Sequence, residues 1–149
     1  MKKNILLLLL GMFLLFGSCE KLIPTYYSIR VHNNSDQTIY YYAEYILPDT
    51  TLSINKPRWL YKVNPGKADE FYDSDVNDEK FKRMKNERIT LFVLDKNVVD
   101  TYEWEYIREN NMILRRYEFL IKELYAGNVF YPPDWRMENI KMYPPYGGE

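Results

Sequence analysis

Nucleophilic and acid–base chemistry leans on cysteine and histidine, and this chain of 149 residues holds one of each, Cys19 and His32. A Ser–His or Cys–His couple puts an imidazole within hydrogen-bond reach of the nucleophile, so any such catalysis would pass through His32 alone. That histidine ends the alternating segment 26–32 and abuts the turn cluster Asn33–Asp36, and no serine stands in a G-x-S-x-G elbow. It reads as a turn-edge side chain. Zinc sites draw mainly on His and Cys, which are too few here, and the sequence has no glycine-rich phosphate loop. The stretch "DSDVNDE" sets Asp73, Asp75 and Asn77 at alternating positions, like the first half of an EF-hand loop. Asp78 then stands where a glycine must turn, and Met84 where a bidentate glutamate must close the cage. A solvated loop capping the next helix explains the stretch better. Carboxylate pairs of the glycosidase kind are defined in space and carry no sequence spacing, and Asp95 reads as a strand-end turn residue. Neither metal nor cofactor is expected, and the chain reads as a non-enzyme.

Cys19 has other chemistry open to it. Lys2 and Lys3 precede an apolar run from Ile5 to Phe16, and Gly17 and Ser18 stand directly before the cysteine. This is the layout of an export signal with small residues at the cleavage point, and the run is shorter than the roughly 20 residues that span a bilayer as a helix. "FGSC" resembles the lipobox of bacterial lipoproteins, with Phe16 in place of the usual leucine. The resemblance implies a signal peptide over residues 1–18, a lipid on Cys19 and a short tether over 19–25. An acylated thiol forms no disulfide, so the mature domain must fold without one.

Loss of Lys2 and Lys3 with the signal takes the formal charge from -1 to -3. A mildly acidic exported chain is a poor candidate for nucleic acid. Its unusual feature is aromatic: 15 tyrosines, 3 tryptophans and an aromatic content of 17%. Tyrosine combines an apolar body with a hydroxyl and suits half-exposed faces and interfaces. If Tyr40 and Tyr42 point outward from their strand, they form a flat platform for a sugar ring or a protein partner. Tyr131, Trp135, Tyr143 and Tyr146 in the proline-rich C-terminal segment either dock on a partner or strap their own domain. The cluster Lys80, Lys82, Arg83 and Lys85 spreads around a short helix and reads as solvated. "DTT" resembles the short O-glycosylation acceptor motif of exported Bacteroidota proteins, with Thr50 as acceptor.

The elements that must position these residues are mostly strands. Period-two alternation marks 26–32 and 37–45, joined by "NNSD" as a hairpin. Residues 58–63 and 69–73 are shorter candidates, and a helix is expected over 79–85. The run "ITLFVL", Ile89–Leu94, is apolar throughout and predicts a strand buried on both faces. Asp100 and Glu103 have capping-box spacing before a helix that docks by Trp104 and Ile107. Residues 113–120 alternate again, 121–127 form one or two helical turns closed by Gly127, and 128–132 make a last strand stopped by Pro132 and Pro133. About seven short strands predict a mainly β fold: an antiparallel two-layer (Ig-like) β-sandwich with short helices in the crossovers, an α+β sheet being the alternative. One β-rich domain is expected over 26–133, followed by a proline and aromatic tail over 134–149.

The lipobox, "NNSDQTIYYY", "LPDTT", "ITLFVLD", "RRYEFLIKEL" and the "YPP…IKMYPPYG" ending resemble a family of small outer-membrane lipoproteins of Bacteroidota, a domain of unknown function. The resemblance implies an outer-membrane lipoprotein and assigns no catalytic residue. "CEKL" lacks the acidic run of a surface-export signal in that phylum, so a periplasm-facing placement is expected. The function expected is a lipid-anchored, non-catalytic structural or protein-interaction module with an envelope protein partner. A glycan-binding accessory using exposed Tyr and Trp is the alternative.

Overall fold

The computed structural model describes residues 28–44, 51–72 and 88–147. Cys19, the tether, Thr50 and the helix expected over 79–85 lie outside these residues. The described chain is mainly β: β1 (Ser28–Asn33), β2 (Ile39–Glu44), β3 (Tyr61–Val63), β4 (Ala68–Tyr72), β5 (Arg88–Asp95), β6 (Arg115–Leu120), β7 (Asn128–Tyr131) and β8 (Lys141–Tyr143). Two short helices, α1 (Lys96–Thr101) and α2 (Trp104–Glu109), lie between β5 and β6, and 3-10 turns occur at Ile121–Glu123, Tyr125–Gly127 and Trp135–Met137.

The strands form two open sheets packed as a β-sandwich, one in the order β4-β1-β7 and the other in the order β3-β2-β5-β6-β8. All pairings in the larger sheet are antiparallel, whereas β1 and β7 run parallel, with Val31 opposite Val129 and His32 opposite Phe130. That pair departs from the all-antiparallel pattern expected. The segment from β1 to β7 contains β2, β3, β5 and β6 of the larger sheet, and this long connection allows β7 to return beside β1 in the same sense.

β5 shows why the sandwich acquires a further layer. Ile89, Leu91 and Val93 enter the core between the sheets with Ile29, Val31, Tyr41, Tyr117 and Phe119. Phe92 and Leu94 point the opposite way, into a second core with Tyr42, Leu52, Val99, Trp104 and Ile107. A strand buried on both faces has to be apolar throughout, and each fully buried Ile, Leu, Val or Phe contributes about 1.5–3 kcal/mol. The covering layer is α1, α2 and the irregular segment 51–60. Trp104 docks it as expected: its Nε1 donates to the Ser53 carbonyl at 2.8 Å, and its ring meets Tyr42 edge-on.

Two local expectations are corrected. The helix start is set by Asp95, whose carboxylate accepts from the Asn97 backbone N–H, and Asp100 and Glu103 form no capping box, since α2 begins without a side-chain cap at Glu103. Residues 134–147 are an integral part of the domain and not a tail. Met137 and Ile140 are buried in the inter-sheet core, and β8 pairs with β6 through Tyr117–Met142 and its neighbours. The segment therefore crosses from the β7 edge of one sheet to the β6 edge of the other and closes that side of the sandwich. Glu118 anchors it by accepting from Lys141 Nζ at 2.6 Å.

Candidate functional site

The outer face of the small sheet carries the histidine and a set of aromatic and charged side chains. His32 on β1 and Phe130 on β7 sit side by side in the parallel register, and their rings stack at 4.8 Å with 18° between planes. His32 Nε2 and Asn128 Oδ1 share a hydrogen bond of 2.6 Å. Arg136 comes from the turn Trp135–Met137 and lays its guanidinium over Phe130, 3.5 Å from the ring centroid. Asp134 fixes this placement. Its carboxylate caps the turn by accepting from the Arg136 backbone N–H at 2.9 Å and pairs bidentately with Nε and Nη2 of the same arginine. These hydrogen bonds hold the Asp134 carboxyl below the usual range.

Beside this set, Tyr125 and Trp135 project into solvent, 59% and 67% exposed. Their ring centroids are 6.4 Å apart and tilted by 56°, which leaves a shallow aromatic notch. Tyr125 is placed by the left-handed turn that follows it, with φ of 49° at Ala126 and 73° at Gly127. A Cβ on Gly127 would come within 3.0 Å of the Ser28 carbonyl oxygen, so the turn needs glycine there and packs against the start of β1.

A second aromatic surface lies on the outside of the helical layer. Tyr102 and Tyr106 stack at 5.1 Å with 17° between planes and are both exposed. In the same layer Arg58 lies 5.3 Å from the ring centroid of Trp59, and Ile54 is 81% exposed.

The residues singled out from the sequence divide sharply. Tyr42 is 2% exposed, stacked on Phe92 at 5.0 Å with its hydroxyl receiving the Ser53 N–H at 3.4 Å, and burial pushes its phenol up. Tyr40 packs partly buried against the same core. The platform expected from this pair does not exist, because alternation separates the two faces of β2 while a layer covers each of them. Tyr131 is likewise removed from the binding set: it is 8% exposed within the inter-sheet core, its hydroxyl accepting from Gln37 at 3.4 Å. Tyr143 is exposed, its ring under the Arg116 guanidinium at 5.5 Å on the β8 edge. Trp135 remains a surface residue. Cys19 and Thr50 lie outside the described residues. Tyr125 and the Tyr102–Tyr106 pair were not among the residues singled out. The one signal for Tyr102 and Tyr106 is their four-residue spacing across two short helices.

Among the described residues no group of three or more His, Cys, Asp or Glu side chains is placed to hold a metal ion. No described helix is long and apolar enough to cross a membrane. No family model, no curated protein and no solved structure matches this chain.

Proposed function

We propose that the chain is a lipid-anchored outer-membrane lipoprotein, facing the periplasm, whose folded domain is a non-catalytic protein-interaction module. The anchor rests on Cys19 and the signal-like residues before it. The observation that carries the interaction role is the helical layer, where stacked Tyr102 and Tyr106 and the Arg58–Trp59 pair stand exposed on a base held by buried Trp104 and Leu52. Trp, Tyr and Arg on a rigid support are the residues that dominate interface energies. Rigid aromatics also lose little conformational entropy on docking. The non-catalytic character is supported by His32, whose ring is committed to Phe130 and whose Nε2 is committed to Asn128.

The test is light crosslinking of the full chain in a related bacterial host, followed by membrane solubilisation and identification of what co-purifies. A stoichiometric protein partner is expected, reduced about tenfold or more when Tyr102→Ala and Tyr106→Ala remove two contacts of hot-spot size. Retention of the same partner by that double variant would move the interface elsewhere. Absence of any partner would end the reading. Glycan binding is the second reading; with Tyr40 and Tyr42 packed inward, its place would be the Tyr125–Trp135 notch, whose tilted rings can stack on a sugar.

A further inference from the structure

The Tyr125–Trp135 notch lies at a particular place relative to the proposed anchor. Tyr125 begins the turn that ends at Gly127, and Gly127 packs against the Ser28 carbonyl. Trp135 reaches the same spot from the closing segment, through its ring contact with Tyr125. Ser28 is the first residue of β1, and Cys19 precedes it by nine positions. Nine residues extend at most about 30 Å. The start of β1, and the notch beside it, therefore lie within about 30 Å of the surface in which a lipid on Cys19 would sit.

We infer that Trp135 and Tyr125 dock the domain on the headgroup–acyl boundary of the bilayer that holds its lipid, which fixes the orientation of the helical layer toward its partner. This rests on the lipid-anchored reading of Cys19. The chemistry fits the place. Tryptophan and tyrosine are enriched at membrane–water interfaces because an apolar ring enters the boundary while its polar edge stays wet. The acyl chains on Cys19 supply the attachment, and a second, aromatic contact restricts how the domain is turned on the bilayer. Two ion pairs lie near the notch, Asp134 with Arg136 and Arg30 with Glu70, each compensated within the domain. The proposed contact is aromatic, and its test is therefore made on zwitterionic lipid and at high salt.

The full chain is to be expressed in a bacterial host, extracted from its membranes, checked by intact mass for acyl chains on Cys19, and reconstituted into phosphatidylcholine vesicles with and without shallow brominated lipid. Tryptophan emission should be quenched by the bromine. The quenching should be lost in Trp135→Phe, weakened in Tyr125→Ala, and retained in ~1 M salt, where screening is nearly complete beyond about 3 Å. Trp135 is exposed, so Trp135→Phe leaves the fold intact, which circular dichroism checks. An acylated protein whose quenching is unchanged by Trp135→Phe overturns the docking and leaves the anchor standing. An unacylated Cys19 overturns both. A Trp135 emission that responds to soluble envelope polysaccharide and not to brominated lipid overturns the docking in favour of glycan binding.

Discussion

Asn33 is fully buried, yet its side-chain amide lacks nothing. Nδ2 donates to the Gln37 carbonyl at 2.7 Å and the Val63 carbonyl at 3.0 Å, and Oδ1 accepts from the Ser35 N–H and hydroxyl. One side chain at the end of β1 thereby ties the small sheet to the β1–β2 turn and to β3 of the large sheet. Asn33→Ala leaves several of these groups without partners and should cost about 3 kcal/mol in chemical denaturation, each buried unsatisfied group costing about 1–3. Asn33→Asp keeps the volume but turns a carboxylate toward two carbonyl oxygens, which raises its folded pKa above the ordinary value of about 4. The penalty then grows as pH rises through that raised value, so the variant should be weaker at neutral pH than at about pH 4; equal stability at both would contradict this placement. The buried phenols give the opposite end of the pH range. Burial, first among the causes, raises Tyr41, Tyr42 and Tyr117. The unfolded chain releases these protons near pH 10 while the folded chain keeps them. Stability from this source is complete below about pH 10 and falls as pH rises beyond it. The denaturation midpoint should drop between about pH 9 and about pH 11 and drop less in Tyr117→Phe. A midpoint insensitive to that interval would contradict the burial of these rings.

At the scale of elements, the segment that closes the sandwich is the most informative. Met137 and Ile140 fill the inter-sheet core from a stretch with little regular structure, and β8 adds three residues to the edge of β6. Met137→Ala should cost about 2–5 kcal/mol, and hydrogen exchange of the β8 amides should accelerate first. Exchange that leaves β8 as protected as in the parent would show the closure to be independent of Met137. Gly127→Ala meets both a positive φ and the Ser28 carbonyl, and should cost about 1–2 kcal/mol. What the sequence revealed here follows the reach of each signal. The alternation of β1, β2 and β6, the unbroken apolar run of β5 and the docking of Trp104 were all legible, because each is a pattern over neighbouring residues. β8 escaped because three residues carry no period. The Asp95 cap escaped because Asp95 has Val98 three residues on, whereas Asp100 and Glu103 carry the full capping-box pattern. The parallel pairing of β1 with β7 is a contact between strands nearly a hundred residues apart, and nothing local encodes it.

At the scale of the molecule, the second core changes the meaning of the aromatic residues. The condition for a Tyr40–Tyr42 platform, an outward face of β2, fails because strand alternation tells which residues share a face and not how many faces are covered; the layer of α1, α2 and residues 51–60 buries Tyr42. Among the described residues, the strongly exposed aromatics fall into separate sets: Tyr125 and Trp135 beside the start of β1, Tyr102, Tyr106 and Trp59 on the helical layer, and Tyr143 and Tyr146 at the C-terminal edge. Two of these sets carry the proposed roles, one toward the bilayer and one toward a protein partner. Both roles depend on a lipid at Cys19. The most direct measurement is therefore the intact mass of the chain extracted from the membranes of its bacterial host. The expected mass is that of residues 19–149 carrying acyl chains on Cys19, shifting to an unprocessed and unacylated chain in Cys19→Ala. A chain that keeps residues 1–18, or one that begins elsewhere with a free thiol, would contradict the account.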